Sequence, residues 1–448
     1  MADGFPDGAV LARNALEWLL AEAREDGTAL AWTGRPDDDE LNPTLYSGTA
    51  GIVLALLEGY QHFGDERFAV AAVRGARAIE AAVDQPWELS SLYLGLAGMA
   101  FALRSAAGML GERAADLAAA RALDLVRARF DGQRWADQFE LFGGNAGIAL
   151  AAAAAGDLDL AILAVTPYLA AAEPTPGGVH WEVRAGLPAR FHHISHGTLG
   201  IVYALAVTGD AASRQDLVEL ALAGAADVVS RNEAGPDGFL VPHSDPQHRP
   251  ERIERYSYGW CHGPAGDAQV FRLLARVTGD PAWSRLADRC WHSVTHSGLP
   301  ARLRPGFWDN SGRCCGTAGV LALACDRHAE QAGELSFASI LVRDLAARAT
   351  VDAQGARWSN FEHRATPRGP AGPWATRASS VNYCAMPDYA TARTRATPSP
   401  GPTTCPRCSP SGIWPPSAGR RCGARCCRGA RCRRRRRAAR SPRRRRGS

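Results

Sequence analysis

The segment Ser195-His196-Gly197-Thr198-Leu199-Gly200-Ile201-Val202-Tyr203-Ala204-Leu205 sets two glycines three residues apart at the head of an apolar run. The same arrangement recurs at Gly48-Thr-Ala-Gly51, Gly95-Leu-Ala-Gly98, Gly144-Asn-Ala-Gly147, Gly263-Pro-Ala-Gly266 and Gly316-Thr-Ala-Gly319. Successive first glycines are separated by 47, 49, 53, 66 and 53 residues. One such tetrapeptide means nothing, but six at near-constant spacing indicate a repeat built from one supersecondary unit. The Ala- and Gly-rich runs after each pair are apolar nearly all round, as buried helices are. Between them lie more polar segments such as 213–231, where Leu217, Leu220, Ala221, Gly224, Ala225 and Val228 keep helical spacing. Each repeat is therefore expected to be one inner and one outer helix. The fold class is all-α, and the burial pattern favours closure into an α/α toroid of helix pairs, with six clear repeats. An open solenoid used for protein binding is the alternative that periodicity leaves standing. Val179-His-Trp-Glu-Val183 is the clearest alternating stretch and reads as a loop ribbon.

Alignment of the repeats on their first glycine separates structure from chemistry. Two positions before it stand Tyr46, Tyr93, Phe142, Ser195, Cys261 and Cys314; one position before it stand Ser47, Leu94, Gly143, His196, His262 and Cys315. The first three repeats carry aromatic or unreactive groups there, and the last three carry His and Cys. Equivalent positions of stacked repeats share one end of the array, so these side chains can converge. Thiols and imidazoles gathered in a reducing compartment suggest zinc, with Cys261, Cys314 and Cys315 as ligands. The competing reading is a set of buried helix-start cysteines. A vicinal Cys314–Cys315 disulfide would be strained. Cys290 and Cys325 fall within helical patterns as packing residues. His196 is the natural general acid or base. His262 is read as a second proton donor rather than a fourth ligand, and His192 and His193 as solvated loop residues.

Together, Ser195-His196-Gly197, Trp260-Cys261-His262-Gly263, Cys314-Cys315-Gly316 and the repeated helix starts resemble the lanthionine synthetase C-like (LanC) family over about residues 40–365. The resemblance implies a seven-fold α/α toroid holding one Zn²⁺. It implies a cyclase that adds a peptide Cys thiol to dehydroalanine or dehydrobutyrine, forming lanthionine or methyllanthionine rings. His196 would protonate the enolate or help to deprotonate the thiol. Glu140 holds the place where the family often has an Asp partner for that His. The family's usual Arg before the first ligand Cys is replaced by Ser257, leaving Arg255 as the nearest candidate, and Cys315 stands where His is commoner. The implied partners are a leader-bearing precursor peptide, a dehydratase and an export transporter. The alternatives are addition of glutathione or another small thiol, and a zinc-stabilised scaffold that binds peptides without chemistry.

Composition divides the chain of 448 residues in two. It contains no Lys; residues 371–448 hold 19 Arg against the single acid Asp388, whereas the remainder holds 32 Arg against 45 acids. The expected domains are a toroid over 1–365 and an Arg-, Pro- and Cys-rich tail over 366–448. The motif Gly369-Pro-Ala-Gly372 falls 53 residues after Gly316 but opens no apolar run, so the seventh repeat reads as degraded. The tail reads as an out-of-frame product, with a basic nucleic-acid-binding arm as the alternative; the acidic body is not expected to bind nucleic acid. Met1-Ala2-Asp3-Gly4 has no basic region before an apolar stretch, so a cytoplasmic location is expected, with peripheral attachment to a membrane-associated biosynthetic complex as a variant.

Overall fold

A short connection that turns a buried helix back along its own surface is written into several repeats. Gly64 and Gly279 end inner helices in the left-handed conformation (φ 64° and 73°), and Asp65 and Asp280 then cap the outer helices by accepting the backbone N–H of Arg67 and Ala282. The computed structural model describes residues 7–34, 38–251, 253–301 and 310–358. The helix α1 (Gly8–Ala21) precedes the repeats. These run α2 (Thr49–Phe63) with α3 (Glu66–Val83), α4 (Leu96–Leu110) with α5 (Arg113–Ala128), and α6 (Asn145–Ala154) with α7 (Leu158–Val165) and α8 (Pro167–Ala171). They continue with α9 (Thr198–Ala212) and α10 (Gln215–Val229), α11 (Pro264–Thr278) and α12 (Pro281–Thr295), then α13 (Thr317–Gln331) and α14 (Ser336–Arg348). Inner helices pack in the succession α2, α4, α6, α9, α11, α13, each against its own outer partner. Four antiparallel ribbons decorate the loops: β1 (Arg24–Asp26) with β2 (Ala29–Ala31), β3 (Glu173–Thr175) with β4 (Gly178–His180), β5 (Arg190–Phe191) with β6 (Ser244–Asp245), and β7 (Thr350–Asp352) with β8 (Gly355–Arg357). The ribbon expected at 179–183 is thus β4, paired with β3 and laid on α10.

The architecture is an all-α, two-layered α/α toroid. Helix α1 packs on α2, on α14 and on β8, which brings the two ends of the described chain together. The expected seventh repeat and the tail lie outside the described residues. Burial follows the sequence: every residue from Thr198 to Ala206 in α9 is buried, whereas α5 buries one face through Ala115, Ala118, Ala119, Ala122, Leu123 and Val126. No described helix is long and apolar enough to cross a membrane. Cys325 departs from expectation. It is exposed on α13, whose buried positions are Thr317, Gly319, Val320, Leu323 and Ala324.

The second glycine is a steric requirement in five of the six motifs, at Gly98, Gly147, Gly200, Gly266 and Gly319. A Cβ at Gly200 would lie 2.2 Å from the Ile194 carbonyl oxygen and 2.9 Å from the Leu141 Cβ of the preceding repeat. At Gly266 the corresponding distance to the Trp260 carbonyl oxygen is 1.9 Å. The loop of one repeat can rest on the next helix only where no side chain intervenes. Gly200→Ala is therefore expected to lower stability by ~1–3 kcal/mol through overpacking against backbone, read as a lower urea midpoint. Gly186 has φ 71° but no atom within 4 Å of an added Cβ; alanine there carries only the cost of its backbone conformation.

Candidate metal centre

Backbone hydrogen bonds join the loops at the motif end of the toroid. In four repeats the residue two before the first glycine donates its N–H to the carbonyl of its counterpart in the next repeat, among them Phe142 to Ser195 (3.2 Å), Ser195 to Cys261 (3.2 Å) and Cys261 to Cys314 (3.0 Å). Tyr46 donates to Tyr93 in the same way at 2.9 Å. This ladder brings the reactive half of the aligned positions together. Aromatic groups fill the other half, where Tyr93 stacks on Phe142 at 4.9 Å and Tyr46 meets both rings edge-on.

The Cys261, Cys314 and Cys315 sulfurs lie within 4.8 Å of one another, and the Cys261 and Cys315 Sγ atoms are 3.5 Å apart. All three residues are buried and none forms a disulfide. Burial pushes the Cys261 thiol up, and the Cys314 and Cys315 sulfurs beside it push it further. A divalent cation reverses that penalty, since thiolate is the ligand form. Two thiolates bound tetrahedrally to zinc at ~2.3 Å stand ~3.8 Å apart, so these three sulfurs fit Zn²⁺ in chemistry and in spacing. Among the described residues, no His, Asp, Glu or further Cys joins this group. His262 follows Cys261 directly but stays outside it.

His262 is buried against three other imidazoles, His243, His196 and His193, at centroid distances of 4.2, 5.3 and 6.0 Å. Burial, and then these neighbours, hold its pKa well below the usual range. His196 is partly exposed and also meets Phe142 at 5.1 Å. Its Nδ1 lies 3.2 Å from Glu140 Oε2 and 3.2 Å from Arg184 Nη2. Glu140 is fully buried, and its two oxygens accept the backbone N–H groups of Phe142 (2.6 Å) and Gly143 (3.1 Å). Arg184 arrives because Gln138 and Arg184 form an isolated antiparallel bridge, with Phe139 N–H donating to Val183 C=O at 2.9 Å. Arg255 does not reach this cluster. Its guanidinium lies at the surface, bound to Glu233 at 2.5 Å and to the Tyr256 hydroxyl at 3.1 Å. The local cation beside His196 is Arg184.

His192 and His193 are not solvated; they are 1% and 0% exposed. His193 Nδ1 sits 2.9 Å from Asp267 Oδ2 inside the protein, with both side chains fully buried. A carboxylate cannot be left unpaired in an inner helix, and α11 carries Asp267 in its first turn. That Asp in an otherwise apolar helix start was the available signal. Arg184 and His243 sit in connections outside the repeat, where alignment cannot find them. The ribbon β5–β6 ties the connection before His196 to the one before Cys261, and this carries His243 to His262.

Burial lowers the pKa of His192 and of His243 to about 3. In the unfolded chain each titrates near 6.5. Above that pH neither state binds the proton and stability is unaffected; between about 6.5 and 3 only the unfolded state does. Stability is therefore expected to fall with acidification across this window, by ~1.4 kcal/mol per pH unit for each such group. Urea titrations at stepped pH check this, and His192→Gln should flatten the slope.

Comparison with known proteins then bears on what this arrangement is. The family described as "Lanthionine synthetase C-like protein" matches residues 39–249 and 245–342. Among solved structures, nisin cyclase is similar over 74% of this chain and 84% of its own, with 15% identity and a TM-score of 0.54. The α-mannanase BT2949 of Bacteroides thetaiotaomicron aligns over 82% of this chain and 91% of its own (10% identity, TM-score 0.46). The unsaturated glucuronyl hydrolase of Bacillus sp. GL1 aligns over 73% and 96% (16% identity, TM-score 0.46). No curated protein matches in sequence. With the family match spanning most of the toroid and the fold shared with nisin cyclase, this chain belongs to the lanthionine synthetase C-like family.

Proposed function

We propose that the chain is a zinc-dependent cyclase that closes thioether rings in a dehydrated, leader-bearing precursor peptide. The observation that carries this reading is the buried trio Cys261, Cys314 and Cys315, joined by backbone hydrogen bonds to the loop that presents His196. Zinc, when bound there, would supply a Lewis acid that keeps an incoming peptide thiol deprotonated at neutral pH. The substrate sulfur forms a bond to the β-carbon of dehydroalanine or dehydrobutyrine, and the C=C electron pair moves onto the α-carbon and its carbonyl as an enolate. His196 gives a proton to the α-carbon and is made whole by the proton that the thiol releases, so atoms and charge balance. Glu140 would fix the His196 loop through its two backbone hydrogen bonds, and the His262 ring packs one side of His196. Cys261, Cys314 and Cys315 would hold the ion, and three protein ligands are the number expected of a catalytic rather than a structural zinc site.

Incubation of the zinc-loaded protein with a dehydrated, Cys-containing precursor peptide should consume free thiol without change in peptide mass. Persistence of the thiol would contradict the reading. A gain of one glutathione mass in mixed incubations would instead favour small-thiol addition.

A further inference from the structure

We propose that Arg184 is a positioning residue that selects the tautomer of His196. The geometry stands by itself, while its catalytic meaning rests on the cyclase reading. Arg184 Nη2 donates to His196 Nδ1 at 3.2 Å. A guanidinium has no acceptor, so Nδ1 must present its lone pair, and the neutral ring carries its hydrogen on Nε2. Glu140 Oε2 stands equally close and has the opposite preference. A carboxylate draws the proton to Nδ1 and leaves Nε2 bare. The Glu140 oxygens already accept the backbone N–H groups of Phe142 and Gly143, and Arg184 is the partner of the two that cannot accept a hydrogen, so it sets the tautomer.

The placement of Arg184 is specific. The backbone bridge to Gln138 fixes its entry, and its Nε is buried with no partner. A buried donor left unpaired costs ~1–3 kcal/mol, so this side chain is not arranged for its own satisfaction. Among the described residues, the bond to His196 is the hydrogen bond its guanidinium makes. With a guanidinium donor on Nδ1, the neutral ring carries its hydrogen on Nε2. From Nε2 that hydrogen passes to the α-carbon, the charge left on the ring faces the Arg184 guanidinium, and the proton released by the substrate thiol restores the neutral ring; the opposite tautomer would present a bare Nε2 instead. Arg184 thereby sets the direction in which the ring first moves a proton.

The test reads the tautomer itself. Long-range ¹H–¹⁵N spectra of the full, ¹⁵N-labelled chain, taken where the ring is neutral, report which nitrogen is protonated; comparison with His196→Gln identifies the His196 signals. The wild type should show hydrogen on Nε2 and a bare Nδ1, with or without added Zn²⁺. Arg184→Met should move the hydrogen to Nδ1, and Arg184→Lys, which keeps a cationic donor, should restore Nε2–H. In the peptide assay, Arg184→Met should lower kcat by ~10–100-fold, the usual effect of losing a partner that orients a site residue, with KM unchanged and Lys recovering part of the loss. An Nδ1–H ring in the wild type, or the same tautomer in wild type and Arg184→Met, would overturn the proposal. Absence of cyclisation by wild-type protein would defeat the cyclase reading and leave the tautomer result standing.

Discussion

Replacement of Cys261 or Cys315 by alanine should leave the purified chain without zinc and lower thioether formation by more than ~100-fold. Loss of a partner outside the ligand shell typically costs ~10–100-fold, and removal of one of three ligands should exceed that. The expectation follows from the geometry: the Cys261 and Cys315 sulfurs are 3.5 Å apart, and no other donor among the described residues joins the trio. Two sulfurs would not close a cage, and no described side chain stands close enough to replace the third. Because zinc binds only the folded state, the wild type should also gain thermal stability on zinc addition, whereas the variants should not. Cys290 is the control. It is buried in α12, apart from the trio, so Cys290→Ala should lower stability without changing zinc content. Elemental analysis with an unfolding curve for each variant checks all of this.

His196→Ala should lower kcat by ~10²–10⁴-fold, the range expected for a positioned proton-transfer group, with zinc content unchanged. The ring's partners tolerate its loss. Glu140 keeps its hydrogen bonds from Phe142 and Gly143, and His196 is itself partly exposed. A defect in zinc binding or folding would therefore not account for the lost rate. Single-turnover measurements at saturating peptide check the prediction, and an unchanged rate in a zinc-replete His196→Ala protein would remove His196 from the mechanism.

Much of this fold is readable in the sequence because one steric event repeats. A loop crosses the first turn of the next inner helix closely enough to forbid a Cβ at Gly98, Gly147, Gly200, Gly266 and Gly319, so glycine marks those crossings. The thiol trio was legible for the same reason, since alignment on that crossing stacks Cys261 above Cys314. The parts that alignment missed lie where the repeat is broken. The longest interval, 66 residues before Gly263, contains His243, and Arg184 enters from the connection before α9. Their positions depend on pairings such as Arg190 with Asp245 and Gln138 with Arg184, which no local pattern announces. His192 and His193 were misjudged because a polar pair before a helix resembles a solvated loop, and only Asp267 on α11 provides the buried partner. Arg255 was near in sequence and Glu233 was nearer in space.

X-ray absorption at the zinc edge on well-folded, full-length protein tests the central claim most directly. The account predicts one zinc per chain surrounded by three sulfurs at ~2.3 Å and one lighter atom, with the lighter scatterer giving way to a fourth sulfur when a Cys-containing peptide is added. Protein that binds no zinc, or zinc whose fourth position is a side chain that the peptide does not displace, would contradict it.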